Sequence, residues 1–537
     1  MVRVIVDPVT RIEGHLKIEV EVENGVVTDA WSSGTMARGF EVLLQGRDPW
    51  DAPYVTSRVC GVCEGVHAIA SAQAMEHAFG IEMTEAGRLM RNLFCAGYYS
   101  HDHYVHFYIL SALDYLDIMA IARYNGSDPG LLAVKSKIVG LVNAGDTSPF
   151  TPRYTPDAFS VSDPTTVTTL VSHYIKAIEM KAKSQKMLAY ITGIQPHPNT
   201  VTVGGCLGTP SREQLLDFRD LWVEQMDFIN NVYVPDVIAV GTGPLFPLAR
   251  SAFGATAGNY LAYPMLPQNP SATPADISFG GSNPLFRSGV IMAQGARGSL
   301  TNINNTTITP VDFGEITESV TNSWYDYPAG SAAARHPSQG VTQFNVNKPN
   351  AYSFLKSPRY SSEPMEVGPL ARGLVNRFPQ LVDFFNAGGR EGVVARHLSR
   401  AIISKMVMDE GLAWIDRLIE LRTAGPLVGM NEKPVPRAAS GFGVWDAPRG
   451  ALGHWVEVEN HRIKNYQLVV PSTWNAGPRD ENQVRGPYEQ SLIGAPVPDI
   501  DNPINIVRII RSFDPCLSCA VHIIDPHSNV VRVHKIS

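Results

Sequence analysis

Two pairs of cysteines with the C-x-x-C spacing lie near opposite ends of the chain. Cys60 and Cys63 form the first pair, and Cys516 and Cys519 form the second. This spacing lets both sulfurs of a pair face one metal ion, so the two pairs together offer four thiolates. Gly61 permits a tight turn, and a predicted helix begins directly after the first pair, where a helix N-terminus favours the thiolate over the thiol.

Three kinds of site fit this pattern when the residues are considered alone. They are a structural zinc site with four cysteine ligands, a dithiol redox pair of the thioredoxin type, and a catalytic site for a soft metal. A zinc ribbon keeps its pairs close in sequence and a thioredoxin motif needs a short βαβ context, so neither fits well. His67 and His522 each follow a cysteine pair closely, which favours a second ring of contacts, or a second ion, beside the sulfurs.

Composition limits the class of protein. The 537 residues are 44% hydrophobic and 18% charged, which indicates a globular chain. The net charge of -7 gives no basic surface for nucleic acid. No stretch approaches the roughly 18 apolar residues of a membrane span, and the N-terminus has no apolar signal-peptide core. Cys95 and Cys206 are isolated and are interpreted as core residues.

The elements that must position the cysteines are predicted to be mainly helical. Strict alternation over residues 16–23, followed by Asn24-Gly25, predicts a β-hairpin near the N-terminus. A second hairpin is predicted from His454 to Val470, with its turn at Glu459-Asn460. Apolar spacing predicts helices at residues 67–79, 84–94, 103–116, 169–190, 373–385 and 392–423, and a capping box at Ser211 and Gln214 starts another.

The remaining segments give weaker signals. Residues 241–350 are rich in Gly, Pro, Asn and Ser and are predicted to be irregular or short-stranded. The stretch NPINIVRII, residues 502–510, reads as a strand. The expected fold class is mainly α (α+β), with a large helical bundle core and small peripheral antiparallel β-sheets.

The chain resembles the large subunits of nickel–iron hydrogenases in seven motifs that occur in family order along its whole length. The motifs are RIEGHL at 11–16, RGFE at 38–41, R-x-C-G-x-C-x-x-x-H at 58–67, SHDHYVHFY at 100–108, APRGALGHW at 447–455, VPSTWN at 470–475 and D-P-C-x-x-C-x-x-H at 514–522. The resemblance implies a single large catalytic subunit over residues 1–522, with its active site between the two C-x-x-C motifs.

The resemblance implies that nickel and iron share the four sulfurs. Cys60 and Cys516 would be terminal nickel ligands, and Cys63 and Cys519 would bridge nickel to iron. The iron would carry carbon monoxide and cyanide ligands. Thiolates are soft ligands that suit both metals. The reaction would be heterolytic oxidation of H2 to two protons and two electrons, with the uptake direction favoured.

The resemblance also implies residues that handle the proton. The Cys516 thiolate or the guanidine of Arg449 could accept it, and the thiolate is favoured because arginine is normally always protonated. Glu13 matches the carboxylate that relays the proton away, a role for which burial can raise the pKa toward neutrality. The alternative for Glu13 is a structural ion pair with Arg11 or another arginine.

Further motif residues are implied to surround the iron ligands. Arg449 and Ser472 match residues that hydrogen-bond the cyanides, and Asp102 and Asp514 match carboxylates that orient the arginine. The remaining matches are Pro448 and Pro471, which would line the same cavity, and His67, which would hydrogen-bond a bridging sulfur.

A magnesium site is also implied, formed by the Glu41 carboxylate, the Leu468 main-chain carbonyl and His522. Oxygen ligands suit magnesium, whereas histidine is less usual there. The histidines of HDHYVH, residues 101–106, are interpreted as packing and hydrogen-bonding residues rather than as a metal cluster. One departure from the family is Glu64, at a position that is often threonine, and it leaves the subgroup open.

The cysteine count implies a partner. Both pairs are used at the site, so electrons must leave through an iron–sulfur small subunit, in an obligatory heterodimer or a higher oligomer. A maturation endopeptidase is expected to cut after His522 and release residues 523–537. Cytoplasmic localisation is expected, with membrane association through partners and co-export with the small subunit as alternatives.

Two related classes of protein differ from metabolic hydrogenases in their sequence. An H2-sensing regulatory subunit is the alternative function, but sensors of this family typically lack the C-terminal tail. Related respiratory-complex subunits have lost the cysteines, whereas this chain keeps all four. The sequence therefore favours the enzyme.

Overall fold

The computed structural model describes most of the chain. The described residues are 2–36, 38–146, 156–269, 283–293, 295–327, 334–341 and 343–518. The predictions for Cys519, His522 and residues 523–537 therefore lie outside the described residues.

Long helices form the centre of the molecule. In chain order, α1 to α15 are Phe40–Leu43, Ala52–Thr56, Glu64–Phe79, Glu85–Val105, Pro129–Asn143, Pro164–Thr192, Arg212–Phe228, Val234–Thr242, Phe246–Arg250, Pro369–Val375, Pro379–Asn386, Val393–Ala424, Pro471–Ala476, Pro487–Leu492 and Ile504–Ser512. A π-helical segment, His106–Ser111, extends α4.

Helix α4 is the central helix of this bundle. It packs against α6 and α12, and α7 packs against both of these. Every residue of α4 from Ala86 to Tyr104 is buried. A helix that is buried on all sides must satisfy its polar side chains internally, so the polar residues of SHDHYVHFY are placed inside the protein.

Small sheets surround the bundle. In chain order, β1 to β17 are Val2–Val6, Leu16–Glu23, Val26–Gly34, Val201–Thr202, Gly205–Cys206, Tyr260–Ala262, Met265–Pro267, Pro284–Phe286, Gly289–Ile291, Ile316–Ser319, Tyr325–Asp326, Gln343–Phe344, Ser357–Tyr360, Glu366–Val367, Ala438–Ala447, Gly450–Glu459 and Arg462–Val469. The three-stranded sheets are β1-β2-β3, β14-β6-β9 and β15-β16-β17. Strand β15 packs along α3, which follows the first cysteine pair.

The structure confirms the fold class and most predicted elements. The first hairpin turns at Asn24-Gly25, both with positive φ, and the capping box of Ser211 and Gln214 opens α7. The described parts of residues 241–350 are short strands, 3₁₀ turns and irregular segments, with the short helix α9 and the end of α8 at their start. One sheet includes a parallel pair, β14 with β6, so the small sheets are not all antiparallel.

Three local predictions are wrong. The predicted helix over residues 373–385 is two helices, α10 and α11, because Pro379 disfavours helical backbone at the residue before it. The late hairpin turns at Asn460 and His461, one residue beyond the predicted turn.

The third wrong prediction is the strand at residues 502–510, which contains most of helix α15. Its isoleucines and valine favour β-structure in isolation. In the fold the helix is buried on all sides, and Arg508 and Arg511, one turn apart, both reach buried acceptors on Asp114. Tertiary contacts therefore override the local propensity.

None of the described helices is both long and apolar enough to cross a bilayer.

Candidate active site

Three of the four paired cysteines converge in the core. The Sγ atoms of Cys60 and Cys516 are 3.2 Å apart, and those of Cys63 and Cys516 are 3.6 Å apart. All three sulfurs lie within 4.8 Å of one another, and all three cysteines are buried. Three sulfurs at this spacing form a donor set that fits soft metals such as nickel and iron.

Backbone amides of the first C-x-x-C motif hold the sulfur of Cys60. Cys63 is the N-cap residue of α3. The N–H groups of Val62 and Cys63 both donate to Cys60 Sγ at 3.1 Å. Two amide donors and a helix N-terminus stabilise negative charge on that sulfur.

The segment around Cys516 is held by the N-terminal RIEG segment. The Glu13 N–H donates to the Pro515 carbonyl at 3.1 Å, and the Leu517 N–H donates to the Glu13 carbonyl at 2.7 Å. Gly14 has φ +81, and a Cβ there would lie 2.4 Å from the Ser518 nitrogen. Only glycine permits this approach, so the motif's glycine is explained by contact between the two chain ends.

Glu13 reaches the cysteine cluster directly. The Cys516 thiol donates to Glu13 Oε2 at 3.3 Å, and the Ser518 N–H donates to the same oxygen at 2.9 Å. Burial, and then the charge of Cys60, raise the pKa of Glu13 above its ordinary value. A carboxylate in contact with a sulfur can accept a proton from it.

Arg449 is held at the tip of a hairpin by two buried carboxylates. Pro448 and Arg449 form the two-residue connection between β15 and β16, since Ala447 pairs with Gly450. Its Nη1 donates to Asp102 Oδ2 at 3.0 Å and its Nη2 to Asp514 Oδ1 at 3.0 Å. Its Nε donates to the Asp514 carbonyl at 2.9 Å. The predicted flanking carboxylates therefore both contact this arginine.

The charges of Arg449, Asp102 and Asp514 influence one another in this buried place. Burial, and then the charge of Asp514, raise the pKa of Asp102 to about 6, although Arg449 opposes the shift. Burial disfavours the Arg449 guanidinium, but Asp102 and Asp514 raise the pKa of Arg449 well above its ordinary value. The arginine is therefore held in its protonated form.

A small cavity of about 10 Å³ lies against the sulfurs. Its lining includes the predicted residues Cys63, His67, Pro448, Arg449, Pro471, Ser472 and Cys516, together with Val66, Ala447 and Leu452, which the motifs did not single out. The Cys516 N–H donates to Ser472 Oγ at 3.0 Å, so the serine hydroxyl remains able to donate. A larger cavity of about 200 Å³, beside Tyr260 and Glu391, contains none of the predicted residues.

A buried chain of side chains leads away from His67. His67 Nδ1 lies 3.2 Å from His454 Nε2, and His454 Nδ1 lies 2.7 Å from the Tyr466 hydroxyl. That hydroxyl donates to Ser71 Oγ at 2.8 Å. Burial lowers the pKa of His67 to about 4. Sequence analysis missed His454 and Tyr466, although both lie on the predicted second hairpin. The proposed bond from His67 to a bridging sulfur stays a prediction.

The three histidines of HDHYVH diverge rather than cluster, which confirms their interpretation as structural residues. His101 contacts Ser184 Oγ at 2.9 Å, whereas His103 contacts Ser404 Oγ at 3.2 Å. His106 Nε2 lies 2.6 Å from the Arg511 carbonyl.

Two of the predicted magnesium residues, Glu41 and Leu468, lie in an oxygen-rich cluster. Lys356 Nζ donates to Glu41 Oε1 at 3.0 Å, to Glu318 Oε2 at 3.3 Å and to Gln467 Oε1 at 2.9 Å. The Leu468 N–H donates to Glu41 Oε1 at 3.2 Å. Glu318 Oε1 is buried without a hydrogen-bond partner among the described residues. Carboxylate oxygens with an orphan acceptor fit a hard cation, although Lys356 already neutralises part of their charge.

Glu64, the departure from the family pattern, is tied to two neighbours. The Tyr98 hydroxyl donates to Glu64 Oε2 at 3.0 Å, and the His197 N–H donates to its Oε1 at 3.3 Å. Burial raises the pKa of Glu64. The residue therefore joins α3 to α4 and to the loop at His197.

Comparison with known proteins assigns the family. A family model described as nickel-dependent hydrogenase matches residues 38–522, and one described as HoxL-like matches residues 3–32. The quinone-reactive Ni/Fe-hydrogenase large chain of Wolinella succinogenes is 32% identical over 99% of this chain and 98% of its own. The uptake hydrogenase large subunit of Bradyrhizobium diazoefficiens is 34% identical over 99% and 97%.

Solved structures agree with this assignment. The Dm. baculatum [NiFeSe]-hydrogenase superposes with a TM-score of 0.81 at 33% identity, covering 97% of this chain and 100% of its own. Sequence and structure agree over nearly the whole length. The chain therefore belongs to the nickel-dependent hydrogenase family as a large subunit, and it is an oxidoreductase that acts on H2.

Proposed function

We propose that this subunit oxidises H2 in the uptake direction and passes the electrons to an iron–sulfur small subunit. The observation that carries the proposal is the contact of Glu13 with Cys516 inside a cluster of three thiols. A carboxylate in contact with one of these sulfurs supports a role in taking up a proton there. Uptake is the function named for the Bradyrhizobium relative.

The residues proposed to hold the Ni–Fe centre are Cys60, Cys63, Cys516 and Cys519. When bound, this centre supplies the heterolytic cleavage of H2 into two protons and two electrons. Carbon monoxide and cyanide ligands are proposed for the iron. The Arg449 guanidinium and the Ser472 hydroxyl are hydrogen-bond donors on the wall of the small cavity, which supports anionic ligands there.

The protein's own part in the reaction is to remove a proton. Cys516 Sγ accepts it, and Glu13 Oε2, 3.3 Å away, receives it next. Arg449 is a poor base because Asp102 and Asp514 hold its guanidinium protonated. Its role is to donate hydrogen bonds into the cavity and to fix that wall, which excludes bulk water.

A magnesium site, C-terminal processing and a cytoplasmic location are also proposed. A magnesium ion bound by Glu41, the Leu468 carbonyl and His522 is supported by the oxygen-rich cluster around Lys356. Removal of residues 523–537 by a maturation endopeptidase is supported by the family match, which ends at residue 522. A cytoplasmic location is kept as the proposal, although the Desulfomicrobium baculatum relative is named periplasmic.

Elemental analysis combined with an H2-dependent assay tests the proposed function. The purified large–small subunit complex should contain nickel and iron and reduce a viologen dye under H2. Its large-subunit mass should correspond to a chain ending at His522. Stoichiometric zinc without nickel would contradict the assignment, and an active enzyme that retains Ser537 would contradict the processing.

A further inference from the structure

Asp114 lies at the junction between the two segments that form the site. We propose that it is a positioning residue, which holds the Glu13 segment in register with the Cys516 segment so that Glu13 meets the sulfur. The proposal rests on the proposed role of Glu13 in proton transfer. Asp114 belongs to none of the residues that the motifs assign to the site.

One buried carboxylate joins an arginine from each chain end. Arg511 Nη1 donates to Asp114 Oδ1 at 2.7 Å and to Oδ2 at 2.9 Å. Arg11 Nη2 donates to Asp114 Oδ1 from the other side. The Asp114 side chain has no exposed surface, and that of Arg511 is 1% exposed. Arg508 fixes the same residue through its carbonyl, with Nε and Nη2 donating at 2.9 and 2.8 Å.

Short connections link this ion cluster to the reacting groups. Arg511 Nε donates to the Thr10 carbonyl at 2.8 Å, and its Nη2 donates to Thr10 Oγ1 at 2.9 Å. Arg11 is two residues before Glu13, and Arg511 is five residues before Cys516. The two segments then pair directly through the Glu13–Cys516 bridge. Movement of either arginine is therefore passed within a few residues to the Glu13–Cys516 contact.

The backbone at Arg11 needs such an anchor. Arg11 has φ +55, a left-handed conformation that a non-glycine residue keeps only when tertiary contacts hold it. Arg11 Nη1 is buried without a hydrogen-bond partner among the described residues. The carboxylate of Asp114, which accepts from Nη2, balances the positive charge of this guanidinium. Burial alone would raise the pKa of Asp114, but Arg511 and Arg11 lower it below its ordinary value. Asparagine would leave two arginines beside a neutral group.

If Asp114 positions Glu13, weakening its contacts should slow proton transfer through Glu13 without slowing cleavage of H2. Conversion of para- to ortho-H2 requires only cleavage and re-formation at the metal centre. Exchange of D2 with water also requires the proton to leave through Glu13. A displacement of about 1 Å can slow such a transfer by orders of magnitude. Weakening the Asp114 contacts should therefore lower the ratio of exchange to conversion, whereas general loss of structure or metal lowers both rates together.

The test measures both rates and the nickel content of the purified complex for Asp114→Asn and Arg11→Lys. Arg11→Lys keeps the positive charge but loses the forked guanidinium group. Because the Arg11 side chain is partly exposed, we expect this variant to fold. Glu76→Gln is the matched control, since Glu76 forms a buried two-point ion pair with Arg91 away from both segments.

We expect the ratio to fall at least tenfold in Asp114→Asn and at least threefold in Arg11→Lys, and to stay unchanged in Glu76→Gln. If Asp114→Asn does not accumulate with nickel, Arg11→Lys decides alone. A wild-type ratio in a nickel-loaded variant of either residue overturns the positioning role. A nickel-loaded wild-type complex that shows neither reaction overturns the proposed function, and the positioning role with it.

Discussion

The thiol of Cys516 donates to the carboxylate of Glu13 across 3.3 Å, although 503 residues separate them in sequence. The two residues are brought together by a two-bond parallel bridge between the RIEG segment and the segment at Pro515. Because the two groups are in direct contact, the proposed first step of proton removal would require no intervening water.

Glu13→Gln should therefore block proton removal while leaving the metal site assembled. Glutamine keeps the size of the side chain and can still accept the Ser518 N–H bond, but it cannot take up a proton. We expect H2-dependent dye reduction to fall about a hundredfold or more, the range of a lost general acid–base group. Nickel content should match that of the wild type. Exposed Glu23→Gln is the control, and full activity in Glu13→Gln would exclude the relay.

Cys516→Ser tests the ligand set itself. A serine hydroxyl is a hard donor that stays protonated at neutral pH, so it is a poor ligand for nickel. We expect loss of H2-dependent dye reduction together with reduced nickel content. Cys206→Ser provides a matched change at a cysteine that is buried outside the cluster and should retain both. Retained activity in Cys516→Ser would remove this residue from the ligands.

Arg449→Met should destabilise the protein as well as inactivate it. Methionine approximates the length of the side chain but leaves Asp102 and Asp514 buried without their shared cation. Breaking a buried ion pair by removing one partner costs about 3–5 kcal/mol. The midpoint of thermal unfolding should fall measurably, and Arg462→Met, at an exposed ion pair with Asp48, should change it little. Equal midpoints for the two variants would show that the contacts of Arg449 with Asp102 and Asp514 add no net stability.

Local patterns in the sequence predicted the parts of the site that depend on spacing. The C-x-x-C pairs were found by their spacing, and the family resemblance added Arg449, Ser472, Glu13 and the two carboxylates that flank Arg449. Partners that lie outside those motifs were not found. Asp114, which contacts Arg11 and Arg511, and Lys356, which contacts Glu41, have no local signal, because only the tertiary fold places a charged group beside another.

Some helices were likewise predicted from the sequence and others were not. Helices with a polar face or a clear cap, such as α7, were predicted from their sequence. Helix α15 was not, because its isoleucines and valine favour a strand in isolation, although its polar and apolar residues do separate onto two helical faces. The break between α10 and α11 had a signal in Pro379, which the apolar spacing alone did not use.

Tyr466→Phe tests the buried chain that leads from His67 to Ser71. Removing the hydroxyl leaves His454 Nδ1 and Ser71 Oγ without this partner in a fully buried place. Unsatisfied buried polar groups cost about 1–3 kcal/mol each, so the thermal midpoint should fall. Tyr115→Phe is the matched control, since the Tyr115 hydroxyl is buried with no hydrogen-bond partner among the described residues. It should leave the midpoint unchanged or raise it.

Glu489 should make the stability depend on pH near neutrality. Its side chain is fully buried, and it accepts hydrogen bonds from the Ser32 N–H at 3.0 Å and the Tyr352 hydroxyl at 2.8 Å. Burial raises the pKa of Glu489 from 4.5 to about 7, although these hydrogen bonds oppose the shift. Between the two values the folded protein holds more protons than the unfolded chain. The free energy of unfolding therefore falls as the pH rises from 4.5 to about 7, by on the order of 3 kcal/mol.

Glu489→Gln removes this titrating group, so the stability of the variant should fall less than that of the wild type as the pH rises. The measurement is the midpoint of thermal unfolding of the purified complex between pH 5 and pH 8, compared with wild type and with the exposed control Glu432→Gln. Because the wild-type carboxyl is costly only when ionised, the variant should gain stability relative to wild type as the pH rises. Parallel curves for the variant and wild type would mean that Glu489 is ionised throughout, with Arg479 balancing its charge.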